Sequence, residues 1–440
     1  MRSQRDPDDI VDSAAIDAST ELFLSDFSEK RGAALAALLA GFGLLMIGSG
    51  VQYPLIALRS ADAGFGVVVI GAFTSAYYFG YVVGSMLTPR AIFRVGHIRL
   101  YAALAAIAVT AILVTGLYEN AALWIILRFV SGICFAGIFV AVESWLIAES
   151  SPAGRGRTMS IYMVVDLAAL AAAQFLINVP DSSGMLLFVI AAIAIALAIV
   201  PTTLGPSSGP VLMGTAAAKF RELWQTAPLA IVSCAIGGAG FGVVIGMAAI
   251  YAKDAGFSTL LTSFFLMAPI IGAIVSLFPI GHVSDHIERR VVIAGCGALC
   301  TAAAVVAALG GSSASPATLI VLVFVVGAAS VPLYPLGVAH LADYIDDEKL
   351  TAATAKLVLV FGAGAAVGPV VASALMDYWT FDAFFWFLAV VHGAVCVYAL
   401  YRIAVRQRAH ARERREFVPI VSASTPQIGA MVGEIEEQLE

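Results

Sequence analysis

Twelve apolar stretches, each long enough to cross a bilayer as a helix, leave this chain little choice of fold. They cover residues 33–58, 66–89, 97–118, 121–147, 157–179 and 184–204, then 229–252, 258–281, 290–310, 315–342, 351–376 and 380–403. In hydrocarbon every backbone N–H and C=O must be satisfied within the protein, and a helix does this inside one segment. Composition agrees: 60 % of residues are hydrophobic, 12 % are charged, and mean hydropathy is +0.94. A soluble domain carries about twice that share of charge. The expectation is an all-α, multi-pass membrane protein of twelve transmembrane helices.

The stretches divide six and six. Residues 1–32 form an acidic tail, 33–204 a first six-helix bundle, 205–228 a linker, 229–404 a second bundle, and 405–440 a C-terminal tail. The first apolar run exceeds the roughly 7–15 residues of a signal-peptide core, so it reads as a first span. The linker opens GPSSGP and then becomes helix-forming. Phe220, Leu223, Trp224 and Ala227 share one face there, which predicts a short helix along the membrane surface. The C-terminal STPQIGAMVGEIEEQLE, 424–440, has a helix start at Thr425-Pro426 and an apolar stripe, and predicts a short acidic amphipathic helix.

Lysine and arginine set the orientation. With the N-terminus inside, all but three of the 24 Lys and Arg fall on inner loops and tails; Arg59 and Lys253 lie outside and Arg128 inside a span. Both termini are therefore expected in the cytoplasm. Trp124, Trp379 and Trp386 then fall near the outer face and Trp145 near the inner one, as an interfacial aromatic belt. The basic run RQRAHARERR, 406–415, suits contact with anionic lipid.

The chain also repeats itself. DAGFG at 62–66 returns as DAGFS at 254–258, and Gly80 in span two matches Gly272 in span eight at the same separation. Two similar six-helix halves with a site between them is a transporter architecture. No ATP-binding loop, nucleophile triad, nucleic-acid patch or Cys/His cluster is present, and the five cysteines lie inside apolar runs. No cofactor, metal site or enzymatic activity is expected. A non-transporting membrane sensor is the alternative, although neither tail carries a signalling domain; a channel fits repeated halves less well.

Ionisable groups inside spans are costly and mark function by default. Asp166 lies about nine residues into span five, roughly 13 Å below the inner surface, so its desolvated carboxyl is the first candidate for proton coupling. Glu143 lies about one turn from the inner end of span four, where it either pairs with Arg155 or Arg157 or serves as a protonatable gate. His340, closing span ten with Asp343, stands near the position of Glu143 in the repeat and is a third candidate. Arg128, in the outer part of span four, stays charged and could meet an anionic substrate group, or bond helix-end carbonyls. Gln52, Tyr53, Tyr77, Tyr81, Gln174, Tyr251 and Tyr334 complete the candidate substrate cavity, since polar-tipped rings and amides suit a cleft between helices. Plain helix packing is the competing reading for each tyrosine.

Several motifs resemble the major facilitator superfamily. GHVSDHIERR, 281–290, matches the family's loop between spans eight and nine, with Gly281, Asp285, Arg289 and Arg290 at motif positions. The equivalent loop between spans two and three, PRAIFRVGHIR, is degenerate: Phe93 stands where Asp285 does. Arg128-Phe-Val-Ser-Gly132 resembles the family's RxxxG motif. Span eleven carries GAGAAVGP, whereas span five lacks the Gly-Pro of drug/proton antiporters. ESWL, RGR, YMVV and PLYPLGVAHLAD are similar to the YcaD-type bacterial carriers. The resemblance implies a fold of two six-helix bundles, a monomer in the bacterial inner membrane, and secondary transport of a small molecule by alternating access; coupling to protons is the expectation drawn from Asp166 or Glu143. It implies a cytoplasmic gate at Gly281, Asp285, Arg289 and Arg290, and no particular cargo.

Overall fold

The computed structural model describes residues 35–150, 155–181, 184–204 and 220–405. The amphipathic helix expected over 424–440 lies outside these residues, as do most of the linker and the side chain of Arg155. Twelve described helices are long and apolar enough to span a membrane. In the first half these are α1 (Leu35–Asp62), α2 (Val67–Val95), α3 (His97–Leu117), α4 (Ala121–Ile147), α5 (Arg157–Asn178) and α6 (Leu186–Thr203). In the second half they are α7 (Pro228–Asp254), α8 (Thr259–His286), α9 (Arg289–Gly310), α10 (Pro316–Ala342), α11 (Ala352–Tyr378) and α12 (Ala383–Val405). A turn at Val331–Pro332 breaks α10 near its middle.

Local chemistry starts these helices. Asn120 Oδ1 accepts from the Leu123 N–H at 3.0 Å, Ser258 Oγ from Leu261 at 3.3 Å, and Ser315 Oγ from Thr318 at 3.2 Å. Each supplies an acceptor that a first turn lacks. Pro316 and Pro228 occupy first-turn positions, where the missing N–H costs nothing.

The sequence repeat is a structural one. Gly64 and Gly256 end α1 and α7 with φ of 76° and 73°, a left-handed cap that favours glycine. Phe65 N–H returns to Ser60 O at 3.0 Å, and Phe257 N–H to Ala252 O at 2.9 Å. The same correspondence holds mid-bundle. A Cβ on Gly80 would stand 2.0 Å from Phe129 O, and one on Gly132 1.9 Å from Tyr77 O, so α2 and α4 interlock backbone to backbone. In the second half, a Cβ on Gly272 would stand 2.2 Å from Phe324 O and one on Gly327 2.1 Å from Pro269 O, so α8 and α10 interlock likewise. Tyr77, Gly80, Phe129 and Gly132 thus correspond to Pro269, Gly272, Phe324 and Gly327. This register pairs Glu143 with Val338 and His340 with Trp145, two positions away from the His340–Glu143 match expected from sequence.

Between the halves, α2 packs most broadly on α11, with further contact of α1 on α7 and of α5 on α8. Three polar contacts join the halves at the end away from the basic loops. Lys253 Nζ pairs with Asp62 Oδ1 at 2.6 Å, Asn178 Nδ2 donates to Ser263 Oγ at 2.8 Å, and Ser263 Oγ donates to Gln174 O at 2.8 Å.

One expectation needs correction. Trp124 and Trp145 are buried rather than interfacial, because each sits on a helix face turned toward neighbouring helices; Trp124 packs against Phe65 and Phe73 and donates Nε1–H to Tyr118 O. Trp379 is 63 % exposed. In the linker helix, Phe220–Thr226, Leu223 is buried, as is Ala227 just beyond it, whereas Phe220 and Trp224 are half-exposed. The helix docks on the second half, with Glu222 paired to Lys349 at 2.7 Å.

Candidate functional site

A cavity of about 80 Å3 lies between the halves. One water needs roughly 10–15 Å3 on this measure, so there is room for several waters or a compact ligand. From the first half, Tyr53, Tyr77, Tyr78, Tyr81 and Asp166 line it; from the second, aliphatic side chains join Phe241, Phe361 and Ser330. Three of the residues that interlock α2 with α4 and α8 with α10 (Tyr77, Pro269 and Gly327) also form cavity wall, so the close helix packing fixes its shape.

Asp166 is the carboxylate of this wall. It is 4 % exposed, and its Oδ1 has no hydrogen-bond partner among the described residues. A buried carboxylate without donors or a counter-charge is costly, so this group is stable only with a proton or with a partner brought into the cavity. α5 places Tyr162 one helical turn from Asp166, and the Tyr162 hydroxyl donates to Glu143 Oε1 at 3.0 Å. Tyr81 and Tyr162 each lie within electrostatic reach of both carboxyls. The structure therefore gathers Asp166, Glu143 and Tyr81 into one neighbourhood and adds Tyr162. Glu143 is fully buried and faces protein rather than lipid; Arg157, one of its two expected partners, is exposed.

Arg128 sits one layer behind the cavity. Its Cζ lies 4.4 Å from the Tyr77 ring centre and 5.7 Å from that of Tyr53, and Nη1 donates to Gln52 Oε1 at 3.3 Å. Gln52 Nε2 in turn donates to Gly48 O at 2.9 Å, which fixes its carbonyl toward Arg128. A second cavity of about 10 Å3 touches Gln52, Thr74 and Arg128, and Tyr53 lies in the walls of both cavities.

The remaining candidates lie apart from the wall. Gln174 is two turns beyond Asp166; its side chain bonds Leu170 O, and its backbone takes part in the contact with Ser263. Tyr251 belongs to an aromatic cluster with Phe265, Phe384 and Phe385 and donates to Asp382 at 3.2 Å, because its face of α7 turns into the second half. Tyr334 packs its ring on Phe361, behind the cavity, with its hydroxyl buried and unpartnered. His340 is buried against Tyr344.

The loop motif closes one end of the second half. Buried Arg289 pairs with Asp343 at 3.0 Å and Asp285 at 3.6 Å, tying the end of α10 to the α8–α9 loop. Gly281 is buried beside it, and Arg290 pairs with Glu288 and donates to Arg402 O at 2.9 Å.

One polar pair beside the cavity escaped sequence reasoning. In the neutral ring, His392 Nδ1–H donates to Leu388 O at 2.8 Å, which leaves Nε2 to accept from Ser330 Oγ at 2.8 Å. The Ser330 hydroxyl hydrogen is thereby committed, which leaves this cavity-lining oxygen able to act only as an acceptor. A serine and a histidine 62 residues apart on apolar helices carry no shared sequence signal.

The sequence profile of the Major Facilitator Superfamily matches residues 33–277 and 229–432. An uncharacterised MFS-type transporter YcaD of Salmonella typhimurium is 27 % identical over 371 residues, covering 80 % of this chain and 92 % of that protein. A related transporter of Enterobacter sp. (strain 638) is 27 % identical over 367 residues, with the same coverage. Among solved structures, the nucleoside transporter NupG superposes with a TM-score of 0.70 at 13 % identity, covering 86 % of this chain and 100 % of that one. A bacterial homolog of the human lysosomal transporter Spinster, inward-facing and unoccupied, gives 0.67 at 14 % identity, covering 85 % and 96 %. With twelve spans in two similar halves and a family profile matched over most of its length, this chain belongs to the Major Facilitator Superfamily of transporters.

Proposed function

We propose that the protein is a proton-coupled secondary transporter, with Asp166 as the proton-carrying group of a cavity reached alternately from the two sides of the membrane. The observation that carries this reading is the buried, unpartnered Asp166 Oδ1 on the wall between the halves. Such a carboxyl exchanges its charge state when hydration or a ligand changes around it, and the two halves change that hydration as they rock. The Glu143–Tyr162 contact offers a route between Asp166 and the basic end of the bundle.

The concentration of Lys and Arg at one end supports a cytoplasmic position for that end and for both termini. The bacterial relatives support the inner membrane as its location. The Lys253–Asp62 and Asn178–Ser263 contacts then close the outer end, and the Arg289–Asp343–Asp285 cluster braces the inner one. A small molecule is the cargo, carried by a monomer.

The test is gradient-driven uptake into vesicles of a cargo identified by thermal-shift screening. Asp166→Asn should abolish accumulation driven by a pH gradient and leave cargo exchange at equal pH at least partly intact. Accumulation by Asp166→Asn equal to that of the native protein overturns the assignment.

A further inference from the structure

We propose that Arg128 is the anion-recognition group of a substrate subsite, and that the cargo is a small, predominantly apolar monocarboxylate. The proposal rests on the transporter reading and adds its substrate class.

The argument begins with charge. Arg128 is 3 % exposed, and a guanidinium stays protonated in any protein environment. A buried charge is stable only when paired. Among the described residues no carboxylate pairs with it, and one hydrogen bond, to the Gln52 carbonyl, is its contact with a protein acceptor. The Tyr77 and Tyr53 rings offset part of the desolvation through their negative faces. A single anionic group completes the compensation. In the matching position of the second half the chain has Val323, so this charge is no element of the repeated architecture.

Shape narrows the class. The space beside Arg128, about 10 Å3, admits one small group such as a carboxylate oxygen and not a bulky polyanion. A carboxylate oxygen there accepts a charge-assisted hydrogen bond from the guanidinium. Tyr53 separates this space from the main cavity and is only partly buried. A turn of its ring joins the two spaces into one site with a cation at one end and an apolar, aromatic-lined body. The occupant that fits is an acid with an apolar tail. Ser330, presented as an acceptor by His392, suits one donor on that tail. A single site cation limits the cargo to one negative charge.

The test is calorimetric binding to the purified full-length protein of benzoate, its neutral amide benzamide, its cationic counterpart benzylamine, and chloride. Phenylacetate and hexanoate extend the acid set. At least one acid should bind saturably, and the amide, the amine and chloride should each bind at least tenfold more weakly. Arg128→Gln should weaken acid binding tenfold or more, and Arg128→Lys should weaken it less. The comparison of acid with amide uses the native protein and stands even if the variants fold poorly. Equal binding of amide and acid, chloride binding as tightly as the acid, acid binding unchanged by Arg128→Gln, or no acid saturating below ~10 mM would each overturn the assignment. Any of these would leave the Asp166 uptake test untouched, because that test uses whichever cargo the screen finds.

Discussion

Tyr162 hands its hydroxyl hydrogen to Glu143 Oε1 across 3.0 Å, joining α5 to α4 at a point one turn along α5 from Asp166. Tyr162 thereby bonds one buried carboxyl, Glu143, and lies one helical turn from another, Asp166. The contact stabilises Glu143 in a place where water does not reach it. Tyr162→Phe removes one hydrogen bond to Glu143 and should cost about 0.5–1.5 kcal/mol, the usual net worth of such a bond. Thermal unfolding in detergent checks this, and an unchanged midpoint contradicts it. Glu143→Gln keeps an acceptor for the tyrosine, so it should unfold close to the native midpoint while slowing proton-driven uptake.

The gate loop should respond unequally to substitution. Arg289 is 2 % exposed and lies closer to Asp343 than to Asp285. Asp343→Asn should therefore slow transport and lower stability more than Asp285→Asn, by about 1–3 kcal/mol in stability. Phe93, 62 % exposed at the corresponding loop of the first half, has no such pair to lose. Phe93→Asp should be the mildest of the three in transport assays on protein matched for amount in the membrane.

Glycine tolerance should follow the interlocks. Gly132→Ala and Gly327→Ala drive a methyl into the carbonyls of Tyr77 and Pro269. Backbone on both sides cannot yield, so each should cost at least ~1–3 kcal/mol. Gly295, on an exposed face of α9 with nothing within 4 Å of its Cβ position, is the control. Gly295→Ala should be neutral or stabilise by about 0.5–1 kcal/mol, because alanine loses less backbone freedom in a helix. Thermal midpoints of the three variants decide the ordering.

Cavity chemistry should separate Ser330 from His392. Ser330→Ala removes an acceptor from the cavity wall and should weaken cargo binding with little loss of stability. His392→Gln should reduce binding less, since a glutamine can still accept from the serine. Binding isotherms for the two variants against one cargo give the comparison; a His392→Gln defect larger than that of Ser330→Ala would contradict it.

Span count, duplication and the α8–α9 loop motif were all legible in the sequence, because each rests on local signals: length of apolar runs, the DAGF turns at Gly64 and Gly256, and the spacing of GHVSDHIERR. The cavity was legible only in part. Asp166 and Arg128 stood out because charge is rare in a span, and Tyr53, Tyr77 and Tyr81 fell on the wall. Tyr251 and Tyr334 did not, because a helix apolar on all sides gives no periodicity to show which face meets the cleft. Ser330 and His392 are unremarkable singly and acquire meaning only through packing. The partition of the site into a main cavity and an Arg128 side space depends on the Tyr53 ring, which no sequence pattern encodes.

The central claim is that protonation of Asp166 biases a two-state rocking of the halves. Spin labels at Tyr118→Cys and Leu260→Cys report on it directly, since both residues are exposed, lie at the end closed by Lys253 and Asp62, and belong to opposite halves. Cys134, Cys234, Cys296 and Cys300 are buried, so replacing Cys396 suffices for selective labelling. Pulsed dipolar distance measurements in lipid nanodiscs at pH 5 and pH 8 should show two distance populations whose ratio changes with pH, and Asp166→Asn should hold that ratio constant. A single distance at both pH values, or a pH response that survives Asp166→Asn in full, would contradict the account.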